Sequence, residues 1–275
     1  MINFLHNFTP QPILFSIGQI HIYWYGLFMV TGIIIALIIN LKLAEYYNIN
    51  KEIIYDLSFW LIIWGVIGAR IYDVILELPY YANNPLNVFK IWQGGLAIHG
   101  AIIAGLLTVY FYCKKLDVNF WKITSIIVPG LALAQAIGRW GNYFNQELFG
   151  KPTSLPWGIP IEILNRPIDH MGNQFFHPTF LYESLGNFAI FIILISIHLL
   201  VIKRRTSEKI NNHYTLTLLY LVLYSILRFS LEFIRIDYTP TFFNLRTPQI
   251  ISSIIIIACI ILLIRLFSKK ALKNY

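Results

Sequence analysis

Charge is what this chain has least of. Asp, Glu, Lys and Arg make up 12% of its 275 residues, about half the share usual in a soluble domain. Hydrophobic residues make up 57%, and several apolar stretches reach the roughly 20 residues that cross a bilayer as helix. A soluble globular domain is excluded and a polytopic membrane protein is expected. Only two cysteines occur, Cys113 and Cys259, each inside or at the end of an apolar stretch. Neither a disulfide framework nor a metal cluster is indicated by them. No HExxH pair suggests an intramembrane metalloprotease, and no GxSxG elbow presents a nucleophilic serine. There is no P-loop and no carboxylate-rich metal motif of the kind alcohol phosphotransferases use. The chemistry is therefore expected to need no metal, no nucleotide and no cofactor. The N-terminal stretch lacks a basic n-region and a small-residue cleavage site, so its first apolar segment is expected to be a retained helix. The net charge of +8 then bears on topology and on contact with the lipid bilayer, not on nucleic acid.

What is present is long and apolar. Residues 1–19 hold no Lys or Arg and suit an interfacial arm. Seven membrane-spanning helices in a single domain are expected, at about 20–43, 54–76, 95–113, 120–139, 178–202, 213–236 and 248–267. Lys42, Lys51, Lys114, Lys115, Lys122, Lys203, Arg204, Arg205, Lys209, Lys269, Lys270 and Lys273 fall on one set of loops, and only Lys90, Lys151, Arg166 and Arg246 on the other. The positive-inside rule then places the N-terminus outside and the C-terminus in the cytoplasm. The loop at about 143–177 is the longest outside segment, and Leu155–Leu164 within it has room for a short strand. A loop of that length in a compact bundle is usually functional or carries a small fold of its own.

One run stands apart: Gly138-Arg139-Trp140-Gly141-Asn142-Tyr143-Phe144-Asn145-Gln146-Glu147-Leu148-Phe149-Gly150. An arginine fork reads phosphate bidentately, and asparagines supply donors and acceptors together. Placed where a hydrophobic helix surfaces, the run suits a lipid headgroup. The plainer reading is a capped helix end with Arg139 snorkelling toward water. With the expected topology, Tyr25, Arg70, Asp73, His99, Arg139, His177, Tyr182, Glu183, Arg228, Glu232 and Arg235 all gather toward the outer leaflet. Tyr224, Arg228, Glu232 and Arg235 are spaced i, i+4, i+8 and i+11, one helical face. Two arginines and a glutamate on a membrane helix usually face a cavity or a partner, the plainer reading being a self-neutralised ion pair. His99, at the start of the third span, is a candidate acid or base, or a structural histidine. Gly100 and Ala104 suit close helix packing. Arg70 and Asp73 read as a rim pair, and Tyr25 as aromatic belt.

The central run resembles the GRxGNFxNxExxG motif of prolipoprotein diacylglyceryl transferases, with Tyr143 where Phe is usual. The resemblance extends to Tyr25-Gly26, Gly68-Ala69-Arg70, Gly94-Gly95-Leu96-Ala97-Ile98-His99-Gly100, His177-Pro178, Tyr182-Glu183, the Arg228, Glu232 and Arg235 face, and Gln249. It implies a seven-helix bundle in the bacterial cytoplasmic membrane with its site toward the outer face. The implied partners are phosphatidylglycerol and prolipoprotein signal peptides with a lipobox cysteine. The implied reaction moves a diacylglyceryl group to the cysteine thiol, forms a thioether and releases glycerol phosphate, the first step of lipoprotein maturation. The expected catalytic residues are His99, Arg139, Arg228, Tyr25 and Glu232. The headgroup is expected on Arg139, Asn142, Asn145, Glu147, Gly150, Arg228, Arg235 and Arg70. Arg139 and Arg228 hold the phosphate in this reading, Glu232 and Arg235 orient them, and His99 is the candidate base, a role a carboxylate could equally fill. The competing class is a transporter or flippase that binds anionic headgroups unchanged. Against it, the polar groups crowd one leaflet and no inverted repeat appears. A structural lipid-binding subunit would make the charge cluster needlessly expensive.

Overall fold

The computed structural model describes residues 2–203 and 213–273; the basic residues Arg204, Arg205 and Lys209 lie outside the described residues. The chain is an all-α membrane protein. Among the described residues, six helices are long and apolar enough to cross a bilayer: α2 (Trp24–Tyr46), α3 (Lys51–Leu76), α6 (Phe120–Phe144), α7 (Thr179–Lys203), α8 (Tyr214–Leu231) and the segment Thr247–Leu266 of α9 (Thr247–Lys273). Their flanks carry exposed apolar side chains such as Ile34, Phe59, Ile62, Ile254 and Ile261. That surface suits hydrocarbon and not water. The third expected span appears as α5 (Ile98–Lys115), 18 residues with Lys114 and Lys115 in its last turn, and is not among the six.

The chain forms two compact units, one of residues 1–36 and 127–275 and one of residues 37–126. In the smaller unit α3 packs on α5. Asn50 caps α3 by accepting from the Glu52 N–H at 3.0 Å, which satisfies one of the orphan donors of a helix start. A Cβ on Gly68 would lie 2.3 Å from that of Ala104, and one on Gly100 would lie 2.1 Å from the Gly68 carbonyl. The expected close packing around Gly100 and Ala104 is therefore present, with Gly68 as its other half. After the short α4 (Leu78–Asn83), the chain turns at Gly94 and Gly95, with φ of +93° and +75°. Backbone of that kind favours glycine, and it delays the start of α5 to Ile98, three residues past the expected 95.

The larger unit opens with α1 (Ile2–Asn7) and a hairpin of β1 (Ile13–Ile17) and β2 (Ile20–Tyr23). The first span was expected from about 20; the helix begins at Trp24 because residues 20–23 give their backbone groups to the hairpin. The fourth span runs on through Gly141 to Phe144, with the Asn145 N–H on the Gly141 carbonyl at 3.0 Å. It stops where Gln146 adopts φ +51°. The loop after α6 carries β3 (Ile159–Pro160), paired with β4 (Phe175–Phe176), in the stretch where a strand was expected. Leu5, Tyr143, Phe149, Ile159, Ile161, Phe176 and Phe180 make its apolar core.

The sixth span ends at Leu231, five residues short of the expected 236. The physical reason is competition for backbone hydrogen bonds. The Lys151 N–H takes the Ile234 carbonyl at 2.8 Å, and Gly150 bridges Arg235. Arg235 is therefore not on the helix, although it stays beside Glu232. The chain continues through a hairpin of β5 (Thr241–Phe242) and β6 (Leu245–Arg246), turning at Phe243 and Asn244, both at positive φ, directly into α9. Gly68→Val is expected to overpack the α3–α5 crossing at a cost of about 1–3 kcal/mol. The measurement is the thermal midpoint in detergent, and an unchanged midpoint would show that the crossing opens freely.

Candidate functional site

The site grows from one acid on an otherwise uncharged stretch of membrane helix. Glu183, 3% exposed, lies one turn into α7. Its Oε2 pairs with Nε of Arg139 from the end of α6. Its Oε1 accepts from Nη1 of Arg228 on α8 at 2.9 Å and from Nη1 of Arg235 at 3.3 Å. Three segments distant in sequence thus converge on one carboxylate. A charge there is tolerable only when paired.

A second acid extends the cluster. The Glu232 side chain is wholly buried. Its Oε1 lies 2.5 Å from Arg228 Nη2 and 3.8 Å from Arg235 Nε, and its Oε2 lies 3.1 Å from Arg246 Nε. Asp237 closes it, accepting from Arg235 Nε at 2.8 Å and lying 3.5 Å from Arg246 Nη2. Burial pushes the Asp237 carboxyl up, but the Arg235 hydrogen bond and the charges of Arg235, Arg246 and Arg228 outweigh it and hold the group below the usual carboxylate range. Among the described residues, four guanidinium groups pair directly with three carboxylates, leaving one positive charge in excess.

Exposure divides the arginines. Arg139 and Arg228 side chains are 23% and 20% exposed, against 3% for Arg235. The first two can meet a ligand, while Arg235 is spent on Glu183, Glu232 and Asp237. Arg139 Nη1 also donates to Asn142 Oδ1 at 3.2 Å, and Asn142 Nδ2 donates to Glu147 Oε1 at 2.7 Å. Asn145 Nδ2 reaches the same oxygen at 3.4 Å. This chain of amides orients the arginine and leaves Glu147 facing a cavity of about 380 Å³, lined also by Asn145, Asn165, Leu148, Phe149 and Asp237. Tyr25 packs against Gly141, where an added Cβ would lie 2.6 Å from the ring. Its phenol feels the charges of Glu147 and Arg139. Gly150 sits under Ile234 and His177, with no room for a side chain. Trp157 Nε1 donates to the Tyr182 hydroxyl at 2.9 Å, and that hydroxyl lies 3.1 Å from His177 Nδ1. Burial holds the His177 imidazolium below its ordinary range.

The structure thus brings together Tyr25, Arg139, Asn142, Asn145, Glu147, Gly150, Arg228, Glu232 and Arg235. Arg70 and His99 belong to the smaller unit. Arg70 gives Nε to the Val88 carbonyl at 2.9 Å and Nη1 to the Gly94 and Gly95 carbonyls at 2.8 Å, with Nη2 on Asn87. Its guanidinium also lies 5.0 Å over the Tyr81 ring, whose hydroxyl bonds Asp73 at 2.7 Å. The fork is saturated by the loop that leads to His99. His99 itself is exposed, its ring 5.8 Å from that of Tyr72. Three residues of the cluster are absent from the sequence-based site: Glu183, Asp237 and Arg246. Glu183 was visible, since α7 has no other acid and its one base is Lys203 at the far end. Arg246 gave no local signal, because its partners lie across a turn and a hairpin.

A family model described as prolipoprotein diacylglyceryl transferase matches residues 12–265. Proteins named phosphatidylglycerol–prolipoprotein diacylglyceryl transferase are similar along most of the chain. The one from Nostoc sp. is 41% identical over 244 residues, covering 89% of this chain and 85% of that protein. The one from Synechococcus sp. is 45% identical over 231 residues, with 83% and 81% covered. The one from Finegoldia magna is 42% identical over 260 residues, with 94% and 97% covered. The match takes in both the arginine cluster and the Arg70–His99 segment, and the chain belongs to the prolipoprotein diacylglyceryl transferase family.

Proposed function

We propose that this chain transfers the diacylglyceryl group of phosphatidylglycerol to the lipobox cysteine thiol of prolipoproteins, and that the arginine cluster on Glu183 is where the headgroup sits. The observation that carries the reading is the pair of part-exposed guanidinium groups, Arg139 and Arg228, held on one buried carboxylate. The thiolate attacks the glycerol carbon that bears the phosphate ester; the C–S bond forms, the C–O bond breaks, and glycerol phosphate leaves with the electron pair. Negative charge grows on the leaving phosphate, and prepositioned donors in a dry site stabilise it most. Arg139 and Arg228 fill that role, with Asn142, Asn145 and Glu147 shaping the pocket. Tyr25 supplies a hydroxyl near Arg139. The thiol has an ordinary pKa near 8.5 and must lose its proton; in this proposal His99 is the group that accepts it. Arg70 acts on the headgroup indirectly, through the loop carbonyls that set the start of α5.

The finer topology belongs to the same proposal. At 1.5 Å per residue α5 is about 27 Å long, close to the hydrocarbon thickness. Counting it as a seventh span puts Lys42, Lys51, Lys114, Lys115, Lys122 and Lys203 on one side. The N-terminus and the arginine cluster then face outside, in the bacterial cytoplasmic membrane, as one polytopic domain. Single cysteines test this: Asn165→Cys is expected to react with an impermeant maleimide on intact spheroplasts, and Asp117→Cys only after lysis. Equal labelling before lysis would overturn the topology.

The activity test pairs purified protein and phosphatidylglycerol with a lipobox peptide carrying Cys or Ser. A diacylglyceryl mass gain is expected on the Cys peptide alone. Arg139→Ala is expected to lower the rate at least about 100-fold, the scale of losing one transition-state donor. Full activity in that variant would remove the phosphate from Arg139, and an untouched lipid with wild-type protein would favour a headgroup-binding transporter. Glu183→Gln is expected to cost about as much, because it releases both arginines together; a variant within twofold of wild type would show that Arg139 and Arg228 hold their places without it.

A further inference from the structure

The hairpin β5–β6 delivers Arg246 beneath Glu232, and every nitrogen of its fork is engaged there. Nε faces Glu232 Oε2 at 3.1 Å. Nη1 donates to the carbonyls of Arg235 at 2.8 Å and Glu232 at 3.3 Å. Nη2 donates to the Thr239 hydroxyl at 2.8 Å and to the Asp237 carbonyl. The Arg246 N–H is itself tied to Gln249 Oε1 at 3.0 Å. An arginine committed in this way has no donor left for substrate. It is a clamp.

What it clamps matters for Arg228. Glu232 is wholly buried, and its carboxylate oxygens make charge contacts without a well-directed hydrogen bond. The two oxygens are divided, Oε1 toward Arg228 and Oε2 toward Arg246. An arginine on each side fixes the rotation of the carboxylate. Arg228 needs an acceptor oxygen fixed there, which a carboxylate or an amide can supply, since its Nη1 and Nη2 are already divided between Glu183 and Glu232. Its remaining exposed edge is what a ligand meets. Without Arg246, Oε2 is left as an unpaired buried charge, which is costly. The carboxylate then turns both oxygens onto its remaining arginines and draws Arg228 inward.

We propose that Arg246 is a positioning residue for the transfer: by holding Glu232 Oε2 it keeps the Arg228 guanidinium turned toward the phosphate. The inference rests on the reading that Arg228 holds the headgroup. Arg246→Met keeps the bulk and removes every donor, and the rate of transfer to the Cys peptide is expected to fall about tenfold or more, in the range of couplings between contacting charges. Neutralising the stranded acid in the same protein is expected to return activity. The double variant Arg246→Met, Glu232→Gln should transfer at least about threefold faster than Arg246→Met alone. A purely structural arginine would lower the yield of folded protein and leave the transfer rate per folded molecule unchanged. Arg246→Met at the wild-type rate, or a double variant no faster than the single one, overturns the proposal. If Arg246→Met does not accumulate as folded protein, Arg246→Gln replaces it in the same comparison, losing both the charge and the fork, under the same criterion. Wild-type protein run in parallel separates the two failures: an inactive wild type sinks the activity, whereas an active wild type with an unaffected Arg246→Met sinks only this inference.

Discussion

A carboxylate on a membrane helix must be paired or neutral, and most of the larger unit follows from how Glu183 is paired. Three arginines from the end of α6, from α8 and from the turn after α8 reach it. None of those segments can shift along its axis without stranding a charge. The cost of an uncompensated buried ion is several kcal/mol, comparable to a large part of a domain's net stability. Glu232 and Asp237 repeat the arrangement, sharing Arg235 and Arg246. On the proposed reading, folding this region and presenting an anion site are therefore one physical event.

The legible part of the protein was what repeats locally. Span positions came from apolar runs, and six of the seven expected spans lie within about five residues of their helices at both ends. The misses have backbone causes. Ile20–Tyr23 reads as the start of a span but pairs with Ile13–Ile17, and α8 stops at Leu231, just before the Ile234 carbonyl is taken by the Lys151 N–H. The spacing of Arg228 and Glu232 was right for a helix. Arg235 meets Glu232 from a turn instead, so the right neighbours came from a wrong geometry. Arg70 shows the opposite limit: its residue type offered donors for an anion, but partners 17 to 25 residues downstream engage all three of its nitrogens. Side-chain saturation by a remote loop leaves no mark in local sequence.

The division of the chain into two units also divides the chemistry on the proposed reading. The larger unit holds the leaving-group side of the reaction, where positive charge has to stand ready. The smaller unit holds His99 at the start of α5, its backbone set by Arg70 and the Gly94–Gly95 turn. A general base and a phosphate clamp make opposite demands. The base must release and take protons near neutral pH, which nearby guanidinium groups oppose by disfavouring its protonated form. Building the two on separate scaffolds lets each be tuned without disturbing the other.

The arginines themselves show why four are present where two suffice to touch a ligand. A lone pair of arginines facing a phosphate would repel each other when the site is empty, and each would swing toward any available carbonyl, as Arg70 does. Glu183 and Glu232 remove that repulsion by sitting between them. Two acids alone would cancel Arg139 and Arg228, and the site would no longer attract an anion. Arg235 and Arg246, spent on the acids and on the backbone around residues 232–239, restore the balance and leave about one positive charge over. Orientation requires the acids, net attraction requires the extra arginines, and both have to be buried for either effect to exceed what water would allow.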